Sequence, residues 1–325
     1  KLVGGDKVSF THLIAYAIVQ ALKVVPNVNT TFERAEENGK ETLYHVVPPH
    51  VNLGLAIDVE RKGKRSLLVP NVKKAETLTF AGFLAGYNDL VRRAKNNTLG
   101  PDDFAGTTAS ITNPGMIGTT MSVPRLMDGQ GVIVGVGSIG MPPEFFGMPP
   151  EIASKAGMSE VMTLTSTYDH RVIQGAESGQ FLDVLVKLLL GDSGFYEDVF
   201  RSLGVPYPPF RLTTDTTPFF GGVLGYDDEK ATLRKQTNVF QLIRSFRVRG
   251  HLQADVNPLG YEFRPHEELD PATYGLSIWD LDRTFMTGGL GGKEEMTLRE
   301  ILDTLRETYT RKVGVEFMHI TSAEE

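Results

Sequence analysis

The chain has no cysteine among its 325 residues. That removes disulfides, thiolate metal ligands and a cysteine nucleophile from consideration. Any sulfur chemistry must use thiols carried in by ligands. There is no apolar run near the roughly 18 residues that span a bilayer, so no membrane association is expected. There is no basic excess: 33 Lys and Arg against 40 Asp and Glu leave a formal charge of −7, which argues against a nucleic-acid partner, since phosphate binding needs a basic face. There is no secretory signal pattern in KLVGGDKVSF, and with the missing cysteines this fits a cytoplasmic location. No G-x-x-x-x-G-K-[ST] phosphate loop occurs, so the Gly288–Gly292 cluster reads as a flexible turn.

The hydrophobic pattern that is present divides the chain. Leu13, Ile14, Ala17, Ile18, Ala21, Leu22 and Val25 recur at helical spacing until Pro26 stops them. The alternation Val51, Leu53, Leu55, Ile57, Val59 predicts a strand, with a polar turn over Arg61–Arg65 and a partner strand at Leu67–Val69. Phe80, Phe83, Leu84, Tyr87, Leu90 and Val91 mark a helix over about 79–96. Strand-like runs follow at 107–112, 131–138 and 161–168, and a helix begins near Gly175. This order is not a strict βαβ alternation. It predicts an α/β sandwich in which helices cover one large mixed sheet. After about Gly204 closely spaced prolines, threonines and glycines predict an extended linker. A mainly helical segment then starts near residue 229, with a second helix over 297–313 and a closing strand in GVEFMHI. Residues 1–204, 205–228 and 229–325 are therefore expected to be a first domain, a linker and a second domain. The second has so little core of its own that it is expected to continue past Glu325, and from the abrupt start beside a helix the true N-terminus is expected to lie elsewhere.

Two strings carry chemistry. Tyr168-Asp169-His170-Arg171-Val172-Ile173-Gln174-Gly175 lies between a predicted strand and a predicted helix, a rigid place from which to present a side chain. An imidazole there, with an ordinary pKa of about 6.5, is mostly neutral at pH 7 and able to accept a proton. Ser110-Ile111-Thr112-Asn113-Pro114-Gly115 closes another strand and offers hydroxyl donors beside a Pro-Gly turn. A hydroxyl aimed at a developing oxyanion is worth roughly 3 kcal/mol in a dry site. A base and a hydroxyl donor form a minimal acyl-transfer site when the substrate supplies the nucleophile. The blander readings are a surface histidine and a common strand threonine. His251, His266 and His319 lack metal-ligand spacing and read as structural, and no metal site is expected. Lys73-Lys74 and Arg92-Arg93 read as solvated faces.

With these strings the chain resembles a known family. VSFTHLIAYAIVQALKVVPNVNTTF, VNLGLAIDVERKGKRSLLVPNVKKAETLTF, LGPDDFAGTTASITNPGMIGTTMSVPRL and STYDHRVIQGAESGQFL occur in the order found in catalytic cores of dihydrolipoamide acyltransferases. The resemblance implies the chloramphenicol-acetyltransferase-like fold and an active site between neighbouring subunits of a trimer. It implies His170 as catalytic base and Thr112 as oxyanion donor, supported by Asp169, Arg171, Asn113 and Gln174. Coenzyme A and lipoamide would be the substrates, the lipoyl group arriving on a separate lipoyl-domain-bearing acyltransferase, with dihydrolipoamide dehydrogenase as a further partner.

LIRSFRVRGHLQADVNPLG, YGLSIWDLDRTF and VGVEFMHI resemble the opening of thiamine-dependent 2-oxoglutarate dehydrogenase, and the pairing resembles the fused enzymes of actinobacteria. That implies a succinyl acyl group. The thiamine diphosphate and magnesium site should lie outside these residues, because no G-D-G followed by N-N appears. One departure stands inside the D-H-R-x-x-D-G signature: Gln174 replaces its aspartate, so any pairing of that carboxylate with Arg171 is in doubt. The resemblance also implies a first helical segment that would precede Lys1 and carry part of the usual coenzyme A contact surface. The alternatives are an acyltransferase-like scaffold that trimerises the protein with little activity, and a distinct acyltransferase with a non-thiol acceptor.

Overall fold

The computed structural model describes residues 7–37, 39–61, 63–149, 152–153, 158, 160–205, 209, 229–256 and 266–314. The chain splits into two compact units, Lys1–Gly140 with Val161–Leu203 and Met141–Glu160 with Gly204–Glu325.

The first unit is built on a five-stranded mixed sheet. Its strands are β3 (Leu53–Leu55), β6 (Asn71–Val72), β7 (Ala109–Thr112), β8 (Val132–Val136) and β9 (Leu164–Tyr168), in the order β6-β3-β7-β8-β9. β3, β7 and β8 run parallel, and the edge strands β6 and β9 run antiparallel to their neighbours. Every residue of β8 is buried. A central strand covered on both faces reads as a continuous apolar run, which is how Val132–Val136 reads. The helices α1 (Phe10–Val24), α2 (Phe80–Asn96), α3 (Gly175–Leu189) and α4 (Phe195–Ser202) complete this unit. The apolar spacing seen in α1 and α3 becomes Ile14, Ile18 and Leu22 packed with Phe181 and Leu185 in one core that also holds Leu53, Leu55, Phe80 and Phe83. Thr79 caps α2 by accepting the Gly82 N–H at 3.3 Å. The α/β class and the mixed sheet with helices are as the sequence indicates.

Three details differ from the sequence expectation. The alternating run 51–59 is two strands, because the Ala56 N–H bonds Ile111 O at 3.0 Å and the chain then leaves the sheet. β4 (Ile57–Arg61) pairs instead with β5 (Lys64–Leu68) as a separate antiparallel ribbon. A second ribbon, β1 (Thr31–Glu37) with β2 (Lys40–Val46), has no apolar alternation to announce it. Finally, Arg93 is more than a solvated charge, since it grips Asp103 with two bonds of 2.9 and 2.5 Å.

The second unit contains α5 (Glu229–Arg249), the short antiparallel pair β10 (Thr284–Met286) and β11 (Glu295–Thr297), and α6 (Leu298–Tyr309). Val239, Leu242 and Phe246 share a core with Leu298, Ile301 and Leu305. Buried Asp280 is neutralised by Lys235 and Arg283 at 2.8 and 2.9 Å. The glycine-rich turn is held by the Thr287 hydroxyl, which accepts the N–H groups of Gly289 and Leu290. The linker and GVEFMHI fall outside the described residues, apart from Val205 and Pro209 in the former and Gly314 in the latter. No described helix is long and apolar enough to cross a membrane.

Phe181 is fully buried where α3 meets the core, whereas Leu190 just beyond the same helix is 73% exposed. Phe181→Ala is expected to lower stability by about 3–5 kcal/mol and Leu190→Ala by less than about 0.5 kcal/mol. Urea midpoints of the two variants check this.

Candidate active site

β9 ends at Tyr168, and six residues, of which 170–172 form a turn, lead to the start of α3. The turn is fixed by Asp169. Its N–H donates to Gly131 O at 3.1 Å, and its carbonyl accepts the N–H groups of Val172 and Ile173 at 3.2 and 2.9 Å. Gly131 is suited to this junction because a Cβ there would stand 2.6 Å from Val28 O and closer still to Thr30 O. Its bare Cα therefore lets the segment leading into β1 lie against the start of β8.

The Asp169 side chain is buried, and a buried carboxylate needs a partner to remain charged. Arg171 supplies it: Nε and Nη2 donate to the two carboxylate oxygens at 2.8 and 2.6 Å, and the Arg171 backbone N–H adds a third bond at 3.1 Å. The Arg171 hydrogen bonds hold the Asp169 carboxyl below its ordinary range. The guanidinium also lies over the Phe32 ring, 4.3 Å from its centroid. Between these two fixed neighbours His170 is exposed, its ring 5.3 Å from that of Tyr168. Among the described residues no hydrogen bond holds the imidazole. It faces a cavity of about 520 Å³ lined also by Thr31, Phe32, Arg34, Asp128 and Gln130.

The other predicted residues lie elsewhere. Gln174 immediately precedes α3, with its N–H on Glu177 Oε2 at 2.7 Å. Glu177 also accepts from Asn27 Nδ2 at 2.8 Å. The doubt raised by Gln174 is thereby narrowed, because the carboxylate that pairs with Arg171 is that of Asp169. Thr112 ends β7, and Asn113 Nδ2 donates to Thr11 Oγ1 at 2.8 Å near the start of α1. Register separates the two groups. Thr112 is level with Gly135, which is level with Thr165; Tyr168 is level with Val132, which is level with Ala109. His170 lies five residues past Thr165, so roughly 17 Å of strand and turn separate it from the level of Thr112 within one chain. The structure brings Asp169, His170 and Arg171 together, and it places Thr112 with Asn113 at the opposite end of the sheet.

Sequence reasoning missed Phe32, Asp128, Gln130 and Glu177. Gln130 accepts a buried bond from Ser110 Oγ at 2.8 Å. Only Glu177 had a local signal, three residues after the helix-preceding Gln174.

Because its folded pKa is depressed, Asp169 stabilises the fold above its unfolded value, near about 3.9, and that contribution vanishes as pH falls through the folded value. Asp169→Asn should therefore be less stable than the parent at pH 7, with the gap closing below about pH 4. Urea midpoints at pH 7 and pH 3 check the sign.

Comparison with known proteins supplies the family. The model of the 2-oxoacid dehydrogenases acyltransferase (catalytic domain) matches residues 2–192. A multifunctional 2-oxoglutarate metabolism enzyme of Mycolicibacterium vanbaalenii is 50% identical over the whole chain, and one of a Mycobacterium species (strain JLS) is 49% identical. The chain spans 25% of the length of these relatives. Among solved structures, a truncated catalytic core of the 2-oxoacid dehydrogenase multienzyme complex from Thermoplasma acidophilum is 27% identical with a TM-score of 0.45, covering 56% of this chain and 74% of that one. The cubic core of a pyruvate dehydrogenase multienzyme complex is 26% identical with a TM-score of 0.44, covering 57% and 70%. With more than half of its length matched by the family model, the chain belongs to the 2-oxoacid dehydrogenase acyltransferases and carries their catalytic domain.

Proposed function

We propose that the first unit transfers a succinyl group from succinyl-dihydrolipoamide to coenzyme A, as part of a longer 2-oxoglutarate-metabolising protein. The observation that carries this reading is the exposed imidazole of His170, presented at the end of β9 into a cavity and flanked by two anchored residues. A thiol with a pKa of about 8.5 is only about 3% thiolate at pH 7, and a positioned base typically contributes about 10²- to 10⁴-fold. His170 takes the proton of the coenzyme A thiol, and the sulfur attacks the thioester carbonyl. Thr112 donates to the oxyanion. Collapse of the intermediate breaks the bond to the lipoyl sulfur, which receives the proton from His170. Both sulfurs belong to ligands, as a chain without cysteine requires.

Since register keeps His170 and Thr112 apart in one chain, each working site takes His170 from one copy and Thr112 from the next. This supports a homotrimer. We also infer that trimers do not build a cubic core, because the segment after α4, which in such cores would contact another trimer, leads here into further chain. The relatives are named for 2-oxoglutarate metabolism, which supports the succinyl group. From the change of composition after Gly204 we further infer domains at 1–204 and 229–325 joined by a linker at 205–228, the second belonging to a thiamine diphosphate- and magnesium-dependent dehydrogenase. On this reading the partners are a lipoyl-domain-bearing acyltransferase and dihydrolipoamide dehydrogenase, in the cytoplasm.

His170→Ala is expected to lose about 10²- to 10⁴-fold in kcat and Thr112→Ala about 10²- to 10³-fold. Equal rates for parent and His170→Ala would leave a trimerising scaffold as the better description. Co-assembled His170→Ala and Thr112→Ala chains should regain activity, with about a quarter of sites intact in randomly mixed cyclic trimers. No recovery would place both residues in one chain's site. Light scattering of the parent should show trimers rather than 24-subunit particles.

A further inference from the structure

We propose that Phe32, on the β1–β2 ribbon, is a positioning residue for His170, acting through Arg171. This rests on the reading of His170 as the base. His170 has no hydrogen bond of its own among the described residues, so its orientation is set by the backbone on either side. On one side Asp169 is anchored by burial and by Gly131 O. On the other, Arg171 is 59% exposed, and a long exposed side chain keeps its rotamer only if more than one contact holds it. Two contacts do so here. The Asp169 carboxylate takes the edge of the guanidinium with two bonds, and the Phe32 ring takes its face at 4.3 Å. A planar cation held by edge and face has little freedom to rotate.

The ring also opposes a competitor. Asp128 lines the same cavity and attracts the Arg171 charge. Without the aromatic face, Arg171 is freer to turn toward Asp128 and loosen the 169–173 turn. Phe32 is delivered to this place by the close approach of residues 28–30 to Gly131, whose carbonyl anchors Asp169. One glycine thus joins the ribbon to the turn that presents the base.

The test uses the full chain with Phe32→Leu, which removes the aromatic face, and Phe32→Tyr, which keeps it. Hydrogen–deuterium exchange reads the turn directly through the amides of Arg171, Val172 and Ile173, all bonded to Asp169. Acyl transfer from succinyl-dihydrolipoamide to coenzyme A reads the base. The expected result is severalfold faster exchange at those amides in Phe32→Leu. Its kcat should fall by about two- to fivefold with KM nearly unchanged, the size of one largely exposed cation–π contact. Phe32→Tyr should match the parent in both readouts. In an Arg171→Met background Phe32→Leu should add no further loss in kcat. Unchanged exchange in Phe32→Leu would overturn the clamp. Faster exchange with an unchanged kcat, in a protein whose transfer still depends on His170, would overturn the positioning role while leaving the function intact. Transfer that survives His170→Ala would overturn both, and the exchange data would still report whether the clamp exists.

Discussion

The direction of β9 is the constraint on which the site depends. β3, β7 and β8 are parallel, so their carboxyl ends, including Thr112, gather at one end of the sheet. β9 reverses, and its carboxyl end with His170 lies at the other. Had β9 been parallel, the histidine and the threonine would have emerged at the same end, two strands apart. On the proposed reading, the antiparallel edge makes each chain a carrier of two half-sites. For the proposed transfer this geometry suits two long substrates, because a site shared between copies leaves both thiol-bearing ligands an approach along the interface.

Burial of one carboxylate organises the histidine end. An ionised group with most of its surface removed from water is tolerated only with its charge matched and its oxygens bonded. Asp169 meets both conditions within two residues, through three bonds from Arg171. What the pair leaves open is the exposed face of the guanidinium, and Phe32 closes it from a different element.

Legibility in the sequence followed the strength of the apolar pattern. α1, α2 and α3 bury one face each, and their spacing could be read directly because helix periodicity and burial agree. β8 could be read because both its faces are covered. The β1–β2 ribbon could not: TFERAEENGKETLYHV carries charges on both faces, and most of its described side chains are exposed. Its pairing comes from the turn and from backbone hydrogen bonds, neither of which leaves a period-two trace. Phe32 was hidden for that reason, an aromatic inside a polar stretch. The split at Ala56 was hidden for the opposite reason, since the alternation runs unbroken through Ile57 and Val59 while the chain changes partners. At the site, motif resemblance drew attention to His170 and Thr112 but carried no register, and register is what separates them.

Gln174 is where resemblance and structure bear on each other most closely. A carboxylate at 174 would add a second negative charge within a turn of Glu177, whose own carboxylate already binds the Gln174 N–H and Asn27. Both acids would favour the positive end of the α3 dipole, but they would also repel one another. An amide at 174 avoids that repulsion and leaves the helix start satisfied by Glu177. Arg171 does not need the missing charge either, since Asp169 is its partner. The two functions that a motif aspartate could serve here, capping the helix and neutralising the arginine, are thus met by other residues. Within one chain the Gln174 amide takes no partner away from the Asp169–Arg171 pair that fixes the turn holding His170.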